Sequence, residues 1–153
     1  LNADFERRAL PGVRLGVGVN TGPCNVGLIG SEKRLDYSCI GDPVNYASRL
    51  EGMTKAYGAF NCIGEATARQ ARGWPVAALD RVAARGRQAV ETVYLALDGN
   101  DPDGAARIIA TIDAARDNPG DAQALAALEA LETPFLNGMR LASYYRTRRS
   151  EAA

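Results

Sequence analysis

The sequence predicts a layered α+β or α/β domain through Leu97, followed by a helical tail, and three observations carry that prediction. Residues 13–20, VRLGVGVN, alternate with a period of two. Residues 42–57 open on Asp-Pro and gather their apolar side chains on one arc of a helical wheel. From Asp98 the composition turns alanine-rich after a DGNDPDG linker.

Leu1 to Leu10 reads as helix. In the first strand, Val13, Leu15, Val17 and Val19 face one way, and Arg14, Gly16, Gly18 and Asn20 the other. That is the pattern of a strand with one buried face. The glycines on the second face imply that something packs close to the backbone there. TGP at 21–23 is a turn, CNVGLIG a second short strand, GSEKR a charged turn and LDYSCI a third strand. GDP then starts a helix, with Asp42 read as N-cap and Pro43 as the first helical position. Tyr46, Ala47, Leu50, Met53 and Tyr57 form its apolar arc; Asn45, Ser48, Arg49, Gly52 and Lys55 form the polar one. The helix is expected to stop near Gly58. AFNCIG reads as a strand, EATARQAR as a short helix, and VAALDRVAARGR with VETVYLAL as a closing hairpin-like pair. Beyond the linker, AARIIATIDAARD and DAQALAALEALE are helices split by NPG. Pro134 ends the second, and a last amphipathic piece runs to the C-terminus. Arg140, Arg146, Arg148 and Arg149 make that end basic, which suits a frayed, solvated helix end, with an interaction tail as the other reading.

Bulk properties narrow the function classes. The chain has 153 residues, enough for one domain with a core, and is 46% hydrophobic and 24% charged. Lys+Arg and Asp+Glu are both 18, so no net charge points to nucleic acid. No apolar run approaches the roughly 18 residues of a membrane span. No signal peptide opens the chain, which starts at Leu1 and is expected to be a piece lacking its N-terminal part. The absence of histidine removes Ser-His-Asp triads and imidazole metal sites. Cys24, Cys39 and Cys62 have no zinc-like spacing, and three is an odd number for a disulfide framework, so free thiols in a reducing compartment are expected.

The groups that could do chemistry centre on the Asp-Pro helix. Asn45 lies in its first turn, where backbone N–H groups are unsatisfied and the helix dipole is positive. Arg49 follows four residues later, so both side chains leave the same face. A guanidinium offers a fixed fork of donors that matches phosphate oxygens, and an amide both donates and accepts, which suits a sugar. On spacing alone the pair could equally decorate a surface. GVGVNTG places Thr21 where a dinucleotide fingerprint needs glycine, no helix opens there, and no Walker A sequence exists. Asp36 and Asp42 could ligate metal in principle, although the cap position already accounts for Asp42.

The run VGVNTGPCNVGLIGSEKRLDYSCIGDPVNYASRLEGMTKAYG, with ARGRQAVETVYLAL after it, resembles the second half of a class III adenylyl/guanylyl cyclase catalytic domain, closest to the bacterial adenylyl cyclase branch. The likeness covers residue 13 to about residue 97. It implies an α+β, ferredoxin-like cyclase domain fragment, an antiparallel-rich sheet with packed helices, over residues 1–98, and an Ala-rich helical tail over 99–153. It implies conversion of ATP to cyclic AMP and pyrophosphate. Asn45 would position the ribose and Arg49 would stabilise the α-phosphate. Arg85, in an RGR loop where the family has KGK, would neutralise the terminal phosphates, although whether Arg85 or Arg87 reaches them stays open. Ser38, with Cys39 beside it, stands where adenylyl cyclases place an Asp or Thr against the adenine amino group and guanylyl cyclases a Cys. Base preference therefore only leans to adenine.

The resemblance further implies two Mg²⁺ or Mn²⁺ ions, held by aspartates expected upstream of Leu1, so the fragment alone is expected to be inactive. It implies a homodimer with the active site at the subunit interface, the SEKRLDY arm helping to form it. It implies no nucleic acid, no membrane contact by this segment, and a cytoplasmic domain whose full-length protein could be membrane-anchored by upstream segments. A non-catalytic nucleotide-binding or dimerisation module is the alternative, and a guanylyl cyclase the third reading.

Overall fold

A computed structural model describes residues 2–31, 34–83 and 90–152. A short helix α1 (Asn2–Arg7) precedes strand β1 (Val17–Val19), the hairpin β2 (Asn25–Ser31) and β3 (Arg34–Ile40), and helix α2 (Asp42–Tyr57). Strand β4 (Asn61–Gly64), helix α3 (Glu65–Gln70) and strands β5 (Val76–Ala83) and β6 (Val90–Ala96) follow. Three helices complete the chain: α4 (Pro102–Asp117), α5 (Ala122–Glu129) and α6 (Gly138–Ala152). The main sheet runs β1-β4-β6-β5, with β1 parallel to β4 and the other two pairings antiparallel. β2 and β3 pair antiparallel as a separate ribbon. The α+β class, the packed helices and the helical C-terminal segment match the sequence-based expectation.

The first strand is shorter than 13–20, and its faces are used the other way round. Gly18 sits beneath α2, where a Cβ would collide with the Ala47 carbonyl oxygen and stand 2.5 Å from the Glu51 amide nitrogen. The glycine side is thus the packed side, and Val17 and Val19, expected to be buried, are 37% and 42% exposed. Helix backbone reaches strand backbone only where side chains are missing, so α2 takes the glycine face.

In α2 the expected apolar arc points inward: Leu50 and Tyr57 are buried, and Tyr46, Ala47 and Met53 half-buried. Thr54 joins them as a buried hydroxyl, satisfied by donating to the Glu51 carbonyl at 2.6 Å. Such back-bonding to the helix is how a threonine is tolerated in the interior. Asp42 is not the N-cap. The cap is Gly41, without any side-chain cap bond, and Asp42 and Pro43 are the first helical residues. Gly58 ends the helix in the left-handed region at φ 66°, a conformation glycine adopts without a Cβ penalty.

The C-terminal helices pack on the same apolar cluster as α2 and the sheet. Leu50, Tyr57, Cys62, Leu79, Val93 and Leu95 form one core with Ile112, Leu128, Leu141 and Tyr145. α5 ends at Glu129, well before Pro134, because the backbone turns to let the Gly138 amide donate to the Leu131 carbonyl at 2.7 Å. A tertiary contact therefore ends this helix before the proline does.

β5 is irregular between Ala78 and Asp80, a bulge that shifts its register against β6. The carbonyls there are taken up by the C-terminal helices. Arg116 of α4 donates to the Ala78 oxygen at 2.7 Å, and the Tyr145 hydroxyl of α6 to the Leu79 oxygen at 2.7 Å. The Asp80 carboxylate gathers three side-chain donors on Oδ2, Tyr57 at 3.2 Å, Tyr144 at 2.6 Å, and Arg148, while its Oδ1 accepts from the Arg81 amide at 2.7 Å. Burial first, then the Asp80 charge, raises the Tyr57 phenol far above its usual range, so it remains a donor. The basic end is tied down as well as wet. Arg140 donates to the Lys55 carbonyl at 3.0 Å, Arg146 pairs with Glu129, and Arg148 pairs with Asp80.

Asp80→Ala is expected to lower the unfolding free energy by about 2–3 kcal/mol, because it strands tyrosine hydroxyls and a guanidinium that meet at one carboxylate. Urea unfolding followed by circular dichroism measures it; a loss under about 0.5 kcal/mol would show that the convergence contributes nothing.

Candidate active site

The residues singled out from the sequence lie on two connected elements. Ser38 is on β3, and three residues on, Gly41 caps α2, which carries Asn45 in its first turn and Arg49 in its second. All three side chains are exposed. Asn45 and Arg49 leave the face of α2 opposite Leu50, Thr54 and Tyr57, so the buried arc aims them outward. Ser38 pairs in register with Gly27, where a Cβ would meet nothing within 4 Å. The strand neighbour of the serine is thus bare backbone, leaving room beside it for a flat ligand. Arg85 and Arg87 lie outside the described residues.

The start of α2 is fixed by the turn after β1, and the sequence reading did not single out the residue that does it. Asn20 donates from Nδ2 to the Pro43 carbonyl at 3.3 Å. Gly22 lies against the Pro43 ring, which a Cβ there would strike. Thr21 and Thr67 share a hydroxyl hydrogen bond at 3.0 Å, joining the turn to α3. An Asn directly after a strand and before Thr-Gly-Pro is the signal that could have found it, since such residues bond nearby backbone in turns. Asn20 thus acts through Pro43 on the turn that presents Asn45.

Burial raises the pKa of two groups that pack at or beneath the helix. The Tyr46 phenol, one residue after Asn45, is pushed up to about 12 by burial and then by Glu91. It stays protonated and packs at Gly64, where a Cβ would be 3.3 Å from its ring. Cys62, beneath α2, is likewise pushed up to about 12 by burial, so it is an inert apolar filler. Glu65, at the start of α3, accepts from the Thr92 amide at 3.3 Å and pairs with Arg69. The amide, then Arg69, holds its carboxyl below the usual range. No group of three or more acidic, cysteine or histidine side chains among the described residues could hold a metal ion. No helix among the described residues is long and apolar enough to cross a membrane.

Chemically, an exposed amide and guanidinium four residues apart, at the positive end of a rigidly seated helix, can hold a sugar hydroxyl and an anionic oxygen together. The serine hydroxyl offers a donor and acceptor to a base edge.

Residues 3–97 match the model of the adenylate and guanylate cyclase catalytic domain. Over 57 residues, 37% of the chain, it is 47% identical to adenylate cyclase 1 of Rhizobium meliloti, and over 63 residues, 41% of the chain, 41% identical to an adenylate cyclase of Anabaena cylindrica. The matched segments make up 9% and 12% of those proteins. Among solved structures, the adenylyl cyclase CyaB from P. aeruginosa superposes with a TM-score of 0.54 and 29% identity, covering 63% of this chain and 49% of that one.

Gly18→Ala is expected to cost about 1–3 kcal/mol, since its Cβ must displace the α2 backbone. Gly27→Ala, placed in open space, should change stability by no more than about 0.5 kcal/mol. Denaturant midpoints of the two variants measure the contrast, and equal midpoints would show that α2 is not seated on Gly18.

Proposed function

The chain belongs to the adenylate and guanylate cyclase catalytic domain family, and from that premise we propose that it supplies the ribose and phosphate grip of an adenylyl cyclase acting on ATP. The observation that carries the proposal is the placement of Asn45 and Arg49, exposed together on the outer face of a helix whose inner face is locked onto Gly18. The similarity to adenylate cyclases over the matched segments supports ATP as the substrate. A guanylyl cyclase is the competing assignment, because the base-facing position is a serine.

In this reading Asn45 orients the ribose so that its 3′-oxygen lies in line with the α-phosphorus. Arg49 meets the charge that grows on the α-phosphoryl oxygens as the 3′-oxygen attacks and pyrophosphate leaves. Such catalysis rests on positioning and on donors already aimed at the developing charge, and it needs no side-chain nucleophile. Ser38 accepts from the adenine amino group. Arg85 would meet the terminal phosphates. Two Mg²⁺ or Mn²⁺ ions, implied by the family resemblance, would take their ligands from outside the described residues; the roles assigned to this chain involve none of them.

We assign the second half of the site to another copy of the domain. The β2–β3 ribbon supports this assignment, since it presents Val26, Leu28, Leu35 and Tyr37 at 55–75% exposure, an apolar surface fit for a protein partner. A cytoplasmic setting for this domain follows from an ATP substrate, and the reading requires neither nucleic acid nor membrane contact.

Asn45→Ala and Arg49→Ala, made in the complete enzyme, are each expected to cut turnover roughly 100- to 1,000-fold while leaving the unfolding midpoint in place. Cyclic nucleotide formation and pyrophosphate release, measured with ATP and with GTP, test this. Parental turnover in both variants would remove the assigned roles; GTP preference would reassign the base; ATP binding without pyrophosphate would make the domain a non-catalytic module.

A further inference from the structure

The last turn of α2 is held by residues that lie beyond the matched span 3–97, and no role in the proposed reaction draws on them. A helix end leaves carbonyls without partners inside the helix and carries the negative end of the dipole. The Arg140 guanidinium donates to the Lys55 carbonyl at 3.0 Å, which puts a cation at that negative end. The Asn137 amide donates to the Gly58 carbonyl at 2.9 Å. The stem of Arg140 covers Gly58: a Cβ on that glycine would stand 2.7 Å from the Arg140 Cβ and 3.1 Å from its Cδ. Glycine at 58 therefore serves this close approach as well as the left-handed turn. Asn137 works in two directions, since its Oδ1 also accepts from the Arg140 amide at 2.9 Å, in the first turn of α6. The positive start of α6 is thereby set against the negative end of α2. The junction continues to the sheet. The Phe60 amide donates to the Phe135 carbonyl at 2.8 Å, and the Phe60 carbonyl accepts from the Val17 amide at 3.0 Å.

The helix is thus held at its entrance, its middle and its end. Asn20 and Gly22 act on Pro43, Gly18 lies under Ala47 and Glu51, and Asn137 and Arg140 close the last turn. The seat on Gly18 sets where α2 lies, and the two end clamps keep it from rocking about that seat. We propose that Arg140 is a positioning residue for Arg49: with Asn137 it clamps the exit of α2, so that chain beyond residue 97 sets the aim of the phosphate-facing guanidinium. This rests on the assignment of Arg49 to the α-phosphate. A side-chain tip stands about 5–6 Å from its helix axis, so ten degrees of rocking displaces it by about 1 Å. A displacement of about 1 Å can cost roughly 100-fold in rate. Asn45 lies next to the entrance clamp and keeps its place when the exit is released. Arg49, one turn further on, takes the displacement. Its partner charge develops only as the 3′-oxygen attacks, so the loss falls on kcat and spares KM.

The test is steady-state kinetics with ATP on Arg140→Ala, Arg140→Lys and Arg146→Ala in the complete enzyme, with hydrogen exchange read on the peptide from Arg49 to Tyr57. Arg146→Ala is the control, because its ion pair on the same helix runs to Glu129 of α5. Arg140→Ala is expected to lower kcat roughly 10- to 100-fold with KM within about twofold. Arg140→Lys should restore most of it, since an ammonium also reaches a last-turn carbonyl. Arg146→Ala should keep the parental kcat. In an Arg49→Ala background, Arg140→Ala should add no further loss, as two residues acting through one group are not additive. The 49–57 peptide should exchange faster in Arg140→Ala than in the parent or in Arg146→Ala. Parental kcat in Arg140→Ala, an equal loss in Arg146→Ala, a full additional loss in the Arg49→Ala background, or unchanged exchange would each overturn the proposal. Parental turnover in Arg49→Ala would overturn instead the reading beneath it; exchange tells the two failures apart, because it reports the clamp without any turnover.

Discussion

The seat of α2 on Gly18 is the constraint from which the rest of the structure follows. A helix normally stands about 10 Å from a sheet because side chains fill the gap. Here the Ala47 carbonyl and Glu51 amide come down on the strand where a Cβ would be, and Gly16 is closed over by Thr54 in the same way. With that face committed to the sheet, the outward direction of Asn45 and Arg49 is no longer free. The close approach fixes both the depth and the rotation of the helix, and rotation decides where a guanidinium four residues from an amide can reach. Asn20 on Pro43 and Gly22 under the same ring hold its first turn, so the helix is fixed along its length and at its entrance.

The C-terminal helices answer a need created inside the sheet. β5 is an edge strand with a register shift between Ala78 and Asp80, and a carbonyl left unbonded there is costly. Arg116 and Tyr145 supply the missing donors from α4 and α6. Exposed ion pairs contribute little on their own, so Arg146–Glu129 alone would not hold α6 down. The apolar contacts of Leu141, Ala142 and Tyr145, all buried, do most of that, and the Asp80 convergence fixes the register of α6 against α2. Tyr57 and Tyr144 meet edge to face with ring centres 4.8 Å apart beneath the carboxylate.

Local signals in the sequence were legible where one physical cause dominates. The Gly16-Gly18 alternation announced a close neighbour, the Leu50–Tyr57 arc announced the buried side of α2, and Gly58 announced its end. The placement of the candidate residues was legible in part: Asn45 and Arg49 are together on one exposed face and Ser38 is on the strand leading to them, while Arg85 lies outside the described residues. Misreadings arose where a distant contact overrode a local preference. Asp42 has good cap chemistry, yet Gly41 takes the cap because a side chain there would crowd Cys24 and the Pro23 carbonyl. Pro134 is a sound helix stop, yet the backbone leaves the helix at Glu129 to meet Gly138. Val17 and Val19 have the pattern of a buried face, but periodicity says only that two faces differ, not which one a neighbour covers. The arginines near the end had no visible partners because Asp80, Glu129 and the Lys55 carbonyl are far off in sequence.

Ser38, Asn45 and Arg49 all stand exposed to water. A charge pair about 4 Å apart is worth about 1 kcal/mol in water and about 4 kcal/mol at the effective dielectric of a protein surface cleft. The difference, about 3 kcal/mol, is comparable to what one preorganised donor contributes to a transition state. Arg49 on the open face of α2 sits at the weak end of that range, and no rearrangement of α2 could bury it, because Gly18 and Leu50 fix the helix from below. Strengthening the guanidinium therefore requires a covering surface brought from elsewhere. The apolar β2–β3 ribbon, which leads straight into the helix, is the part of the fold suited to recruit one. In a two-copy arrangement the same contact that buries the ribbon would exclude water from the amide and the guanidinium, so association and electrostatic strength would rise together.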